Sequence, residues 1–222
     1  MNELVIFDID NTLVKGQSQN ILLNYLYRKG LIGKIYFLKI YIWFALYNFG
    51  IVKNPKRILE YAIKFIGGRK VEEVKNVINE FVKIELKKYF FKEAIKKIEE
   101  HKKAGRKILL LSNAIDALTG EIANYLGVDE YIASELEIKD NRYTGKLVGS
   151  LAYGENKLEK VKSFLVSRSG LSLDNTWAYA DHRSDITLLT SVKHPTVVNP
   201  DGGLTMCAEK NKWPIIHFDL KK

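Results

Sequence analysis

The sequence predicts an α/β fold: a three-layer, Rossmann-like parallel sheet core, with a small hairpin and an inserted all-helical cap. Three observations carry this. Apolar runs such as Val5-Ile6-Phe7 and Ile108-Leu109-Leu110-Leu111 show no polar alternation, as expected of strands buried on both faces. These runs alternate with segments of helical apolar spacing, the pattern of parallel strands joined by crossover helices. From about Lys15 to Glu99 the spacing is helical throughout, so a helical block separates the first core strand from the second. The expected division is residues 1–14 and 95–222 for the core and 15–94 for the cap.

The first strand sets the chemistry. Its apolar run ends in Asp8-Ile9-Asp10-Asn11-Thr12, two carboxylates separated by one residue. Side chains two apart on an extended chain point the same way, and open α/β sheets bind ligands at the carboxyl ends of their strands. Two acids aimed at one point repel unless a cation lies between them. A hard cation with oxygen ligands fits, and Mg²⁺ is the expected cofactor.

The helical block follows. Ile21, Leu22, Tyr25 and Leu26 recur at helical spacing, with Gly30 and Gly33 closing that helix. Ile35 to Val52 is the most apolar stretch and carries seven aromatics, Tyr36, Phe37, Tyr41, Trp43, Phe44, Tyr47 and Phe49. Its uncharged part, Ile40 to Val52, is thirteen residues, too short to cross a bilayer as a helix. Pro55 opens the next helix, and Gly67-Gly68 ends it beyond Ile66. Val71 to Lys103 is again helical, with Val74, Ile78, Phe81 and Val82 on one face, then Ala94, Ile95 and Ile98 in a second run.

The second strand, Lys107 to Leu111, ends in Ser112-Asn113. Ser or Asn before the periodic run Ile115, Leu118, Ile122, Tyr125 signals a helix N-cap, hence a site where free N–H groups can meet an anion. Tyr131 to Ser134 is a third strand; Leu136 to Ile138 and Tyr143 to Leu147 form a hairpin around Lys139-Asp140-Asn141. Lys157 stands at the start of a helix bearing Leu158, Val161, Phe164 and Leu165. Trp177 to Ala180 is a fourth strand, ending in Asp181-His182-Arg183-Ser184-Asp185, Thr196 to Asn199 a fifth, and Ile215 to Phe218 a short closing one.

Composition bounds the rest. The 222 residues are 46% hydrophobic, enough for a real core. One cysteine, Cys207, forms no internal disulfide and fits inert packing in a reducing compartment. Met1 to Glu3 lead straight into a strand, without a signal-peptide pattern, so a cytoplasmic location is expected. The net charge of +9 suits an anionic substrate first and an anionic membrane surface second. No nucleic-acid motif accompanies it, so no nucleic-acid partner is expected.

Asp8, Asp10, Ser112, Lys157, Asp181 and Asp185 together supply what phosphoryl transfer needs: a nucleophile, a proton donor, a cation on the phosphate and acids for Mg²⁺. In this order the set resembles the haloacid dehalogenase superfamily, in its phosphoserine phosphatase-like branch (subfamily IB). The family's Asp-x-Asp-x-Thr matches Asp8-Ile9-Asp10-Asn11-Thr12, its Ser or Thr motif Ser112, its Lys motif Lys157, and its acidic pair Asp181 and Asp185. The resemblance covers roughly residues 1–14 and 95–218 and is looser in the cap. It implies a phosphatase in which Asp8 is the nucleophile and Asp10 the acid and base. Ser112, Asn113 and Lys157 would bind phosphate. Asp8, the Asp10 carbonyl and Asp181 would hold Mg²⁺, and Asp185 would support the metal's waters or Lys157. Ser184 stands where the branch often has Asn.

The phosphoserine phosphatases of that branch carry a cap Glu for the substrate's amino group, seven residues beyond the second Asp; here that count reaches Gln17, a neutral amide. Gln17 and Ser18 are the cap residues expected near the substrate, with capping of a helix beginning near Asn20 as Ser18's other role. The substrate expected is a phosphorylated small molecule or lipid headgroup, such as a lipid or lysolipid phosphate. The alternatives are phosphoserine or another small metabolite and, remotely, a non-catalytic binding module. The aromatic stretch has two readings. It packs the cap's own core, or, flanked by Arg28, Lys29, Lys34, Lys53, Lys56 and Arg57, it rests peripherally on an anionic inner-membrane surface through Trp43 and Phe44.

Overall fold

The computed structural model describes residues 3–52 and 54–220, with the side chains of Tyr47 and Asn48 set aside. β1 (Leu4–Asp8) is buried along its whole length and lies at the centre of the sheet. It pairs in parallel with β2 (Lys107–Ile115) on one side and β6 (Thr176–Ala180) on the other. β3 (Glu130–Ser134) extends the sheet beyond β2; β7 (His194–Val198) and β8 (Ile215–Ile216) extend it beyond β6. The six strands run in the order β3-β2-β1-β6-β7-β8, all parallel. With β4 (Leu136–Lys139) and β5 (Arg142–Leu147) forming a separate two-stranded sheet, this is the doubly wound order 3-2-1-4-5-6, whose switch point lies between β1 and β6.

Alternation along the strands makes three layers. Val5, Phe7, Ile108 and Leu110 join one apolar cluster with Ala94 and Ile98 of α5 (Lys92–Lys103) and Leu118 and Ile122 of α6 (Asp116–Leu126). Leu4, Ile6, Leu109 and Leu111 join the other with Leu158 and Val161 of α7 (Glu155–Val166), Leu188 and Leu189 of α8 (Ile186–Ser191) and Leu204 of α9 (Gly202–Asn211). Each fully buried large side chain contributes about 1.5–3 kcal/mol, and Phe7 adds a stack on Tyr179 at 4.5 Å.

Between β1 and α5 the chain forms α1 (Ser18–Arg28), α2 (Lys34–Asn48), α3 (Pro55–Ile63) and α4 (Val71–Ile84), with short 3₁₀ turns after α3 and α4. The strands leading in and out run side by side: Lys15 N–H donates to the Tyr89 carbonyl and Phe91 N–H to the Leu13 carbonyl. The hairpin ties this insertion down. Gly68 N–H donates to Tyr143 O, Tyr143 N–H to Arg69 O, and Val71 N–H to Asn141 O. Gly67 permits the approach, because a Cβ there would lie 3.2 Å from the Thr144 carbonyl oxygen.

Two expected helix starts move. α1 begins at Ser18, not near Asn20, with Gln17 at the N-cap and no side-chain cap bond. β2 continues irregularly through Ser112 and Asn113 to Ile115, so neither residue caps α6. Ser112 instead accepts from Ala114 N–H (3.0 Å), the bond that a cap would have spent on the helix.

The aromatics of α2 turn inward. Phe37, Tyr41 and Phe44 pack against the main cluster, and Trp43 stacks on Tyr61 at 5.6 Å. The outward stripe is aliphatic: Ile35 (73% exposed), Leu38 (56%) and Ile42 (49%). Trp43 and Phe44 are therefore not the outward residues. Arg28 and Lys29 are engaged with Glu85 and Glu80, and Lys56 with the Gly149 carbonyl. Lys34, Lys39 and Arg57 stand exposed, while Lys53 lies outside the described residues. No helix among the described residues is long and apolar enough to cross a membrane.

Candidate active site

The polar residues converge at the carboxyl edge of the sheet, where β1 meets β6. Asp8 closes β1 and Asp181 follows β6, each 8% exposed. Lys157, in the first turn of α7, is 3% exposed and points its ammonium into this edge. Its Nζ lies 2.6 Å from Asp8 Oδ1 and 2.8 Å from Asp185 Oδ1. Asp185, 1% exposed, ends the 3₁₀ turn Arg183–Asp185. Residues 8, 157, 181 and 185, far apart in the chain, thus form one buried ionic cluster.

Asp10 is held differently. Its Oδ1 accepts from Ser18 N–H at 2.7 Å, so the first turn of α1 grips the second acid. Ser18 is wholly buried beside Asp10 and does not line the neighbouring cleft. Gln17 does. It shares a cleft of about 510 Å³ with Asn113, Tyr41, Phe44, Leu59 and Tyr153. Ser112 is buried next to Asn113.

Four carboxylates face one ammonium, and the imbalance shows in the titration of Asp8, Asp10 and Asp181. Burial pushes Asp8 well above the usual carboxylate range; Lys157 opposes this, and Asp185, Asp181 and Asp10 add to it. Burial likewise raises Asp10, against its contact with Ser18 and the charge of Lys157. Asp181 is pushed up to about 7 by burial, with Asp185 adding and the Asn11 hydrogen bond and Lys157 opposing. Burial alone would lower Lys157, but Asp8 and Asp185 outweigh it and hold the ammonium charged. A set this short of positive charge favours a further cation.

The chain matches the family described as haloacid dehalogenase-like hydrolase over residues 5–190. It belongs to that family. A probable phosphatase of Mycobacterium tuberculosis is 29% identical over 96% of this chain and 74% of its own length. A histidinol-phosphatase of Neisseria meningitidis is 27% identical over 98% of this chain and 100% of its own. A Bordetella pertussis protein of unknown function superposes with a TM-score of 0.90 at 26% identity over the full length of both chains. A phosphoserine phosphatase in its apo form shares the fold, with a TM-score of 0.62 at 22% identity, over 97% of this chain and 92% of that one. Family and relatives make this hydrolase a phosphatase.

Several residues that build the site were invisible as such in the sequence. Asn11, in the left-handed region at φ 56°, donates through Nδ2 to Asp181 Oδ2 (3.1 Å) and accepts Gly16 N–H on Oδ1 (3.0 Å). Asn199 donates to the Asn11 carbonyl (3.4 Å). Ser134 Oγ donates to the Asn113 carbonyl (2.9 Å) and accepts from Ala152 N–H (3.2 Å), linking β2 to the loop before α7. For Asn11 the only available signal was an Asn three residues beyond the end of a strand, a residue type that tolerates the left-handed turn. Its partner lies 170 residues away.

Proposed function

We propose that this phosphatase hydrolyses a phosphate monoester with an apolar alcohol group, a lipid or lysolipid phosphate, through a phospho-Asp8 intermediate. The observation that carries the reading is Lys157 bridging Asp8 and Asp185 at a dry point of the sheet's switch crevice. In the first step an Asp8 oxygen attacks phosphorus and the phosphorus–oxygen bond to the alcohol breaks. Asp10, whose raised carboxyl suits a proton donor, protonates the departing oxygen. In the second, water attacks the phosphorus of phospho-Asp8 and gives its proton to Asp10. The Asp8–phosphorus bond breaks and inorganic phosphate leaves. Lys157, Ser112 and Asn113 hold the phosphoryl oxygens, while Asp185 keeps Lys157 charged and aimed.

The donor set fits Mg²⁺. Asp8 and Asp181 would supply carboxylates and Asp10 its main-chain carbonyl. Among the described residues no three acidic, His or Cys side chains form a metal-ready group. Mg²⁺ keeps several waters and needs only one or two carboxylates. Bound there, it would offset charge on the phosphoryl oxygens.

Two observations support an apolar substrate. The cleft beside Asn113 is lined largely by Tyr41, Phe44, Ile58, Leu59 and Leu151, with no carboxylate in its described lining. The stripe Ile35, Leu38, Ile42 with Lys34 and Lys39 suits peripheral contact with an anionic bilayer. The competing reading, an amino-alcohol phosphate of the kind named for the Neisseria relative, would leave an ammonium facing Gln17 without a counter-charge. Phosphate release should need Mg²⁺, and Asp8→Asn should lower it by several orders of magnitude without loss of fold. In a panel of p-nitrophenyl phosphate, phosphoserine, histidinol phosphate and lysophosphatidic acid, the highest kcat/KM should fall on the last. A preference for either amino-alcohol ester would overturn the substrate assignment, and an active Asp8→Asn the mechanism.

A further inference from the structure

The geometry points to a binding cavity for the substrate's hydrocarbon tail inside the helical insertion, an inference that rests on the phosphatase reading above. Four helices line a partly open cavity of about 260 Å³. Its wall is formed by Leu22, Leu23 and Leu26 of α1, Ile40 and Phe44 of α2, Leu59 and Ile63 of α3, and Val74 and Ile78 of α4. Protein interiors are packed like organic crystals, with few voids larger than a water molecule. A cavity this apolar stays dry and takes hydrocarbon in preference to water. Its volume holds roughly nine groups of water or methylene size, at about 30 Å³ each.

Position connects it to the chemistry. Gln19, Asn20, Phe44 and Leu59 line both this cavity and the substrate cleft that holds Gln17 and Asn113. The two spaces therefore adjoin each other across these residues. Ile115, at the end of β2 and three residues beyond Ser112, also lines the cavity. The polar lining residues, Gln19, Asn20, Arg69 and Glu73, are half-buried or exposed, which puts them at the rim and leaves hydrocarbon inside. An ester whose phosphoryl group meets Asp8 and Lys157 can run its chain through the cleft and past Phe44 and Leu59. The cavity thus assigns the substrate class: a monoester with an unbranched tail of about ten carbons, or the first such stretch of a longer one.

The test uses n-alkyl phosphates from butyl to dodecyl below their micellar concentrations, with p-nitrophenyl phosphate as the reference ester. The value of kcat/KM should rise about fourfold per methylene, the fold-change for burying one such group, and level off near ten carbons. Ala62, on the wall from α3, offers a way to fill the space. Ala62→Phe should cut the decyl-to-butyl ratio of kcat/KM at least tenfold, and Ala62→Leu serves if the larger side chain prevents folding. Calorimetric titration of wild type with 1-decanol should give one site, lost in the filled variant. A flat chain-length series with the aryl ester still cleaved overturns the cavity and leaves the phosphatase reading standing. Absence of turnover on every ester overturns the phosphatase reading. The decanol titration then decides the cavity alone: heat of one site supports it, and none refutes it.

Discussion

Replacing Lys157 by Met removes the one cation paired with Asp8 and Asp185 among the described residues, while keeping the length and much of the volume of the side chain. The Lys157 side chain is 4% exposed and those of Asp8 and Asp185 are 10% and 2%, so water cannot replace the lost partner. Breaking such a buried pair costs about 3–5 kcal/mol, because a charge stays behind unpaired. For a chain of this size that corresponds to a fall in melting temperature of about 6–20 °C. The fall should be larger near pH 8 than near pH 5, because burial raises Asp8 and protonation toward acid removes the orphan charge. Turnover should fall by about 10²–10³ at either pH, since the phosphoryl clamp is gone. Adding Asp185→Asn should restore part of the stability and none of the activity. The assay is a double-mutant cycle read by thermal melts and phosphate release. A single variant that melts like wild type at pH 8, or a double variant that regains activity, would refute the reasoning.

Four further outcomes follow from the structure. Because Asp181 binds its proton up to about pH 7 without metal, Mg²⁺ must displace that proton in acid; its apparent affinity should weaken by at least about tenfold per unit as pH falls below 7, by calorimetry. For the metal-free protein the sign of the same shift is destabilising: the folded state binds the extra proton, so this group's contribution to stability declines as pH rises from about 4 to about 7. His101 acts oppositely. Burial and then Arg106 hold it down to about 4, so its contribution is complete above about 6.5 and lost as pH falls toward 4; the stability difference between wild type and His101→Gln should shrink over that window, by on the order of 2 kcal/mol. Leu38→Ser with Ile42→Ser should reduce sedimentation with anionic vesicles at least tenfold at low salt while leaving the melting temperature unchanged, since both side chains already face solvent; wild type that stays in the supernatant would end the membrane reading.

The polar edge of the sheet was legible because three strands end in a sharp change from apolar to polar, and a parallel sheet brings such ends to one side. Asp8, Lys157, Asp181 and Asp185 could therefore be grouped before any coordinates, whereas the spatial order of the core strands came only with the structure. What failed was local. Ser18 and Ser112 have the chemistry of helix caps, yet neither side chain caps a helix. The Ser18 N–H holds Asp10, and the Ser112 hydroxyl accepts within an irregular extension of β2. Asn11, Asn199 and Ser134 were out of reach for another reason: their partners are set by tertiary approach, and no local periodicity encodes them.

The insertion shows how far composition can mislead about direction. A helix apolar on every side has no preferred face in sequence, so α2 carried no information on which side chains turn inward. Of the two readings of the aromatic stretch, the membrane one put Trp43 and Phe44 outward and the other put the rings in the cap's own core. Packing decides for the second, because flat rings fill the space between helices, against Tyr61 and along the cavity wall. The aliphatic positions 35, 38 and 42, spaced three and four apart, are left outside. The same helix therefore presents Ile40 and Phe44 to an internal cavity and Leu38 and Ile42 to the surroundings, one helix diameter of about 10 Å apart. The two faces can be tested separately. Filling the cavity at Ala62 should change chain-length selectivity on soluble esters without touching vesicle binding. Polar residues at 38 and 42 should do the reverse. If both sets of variants moved both readouts together, α2 would be a single packing element whose disruption loosens the insertion, and neither face would have a role of its own.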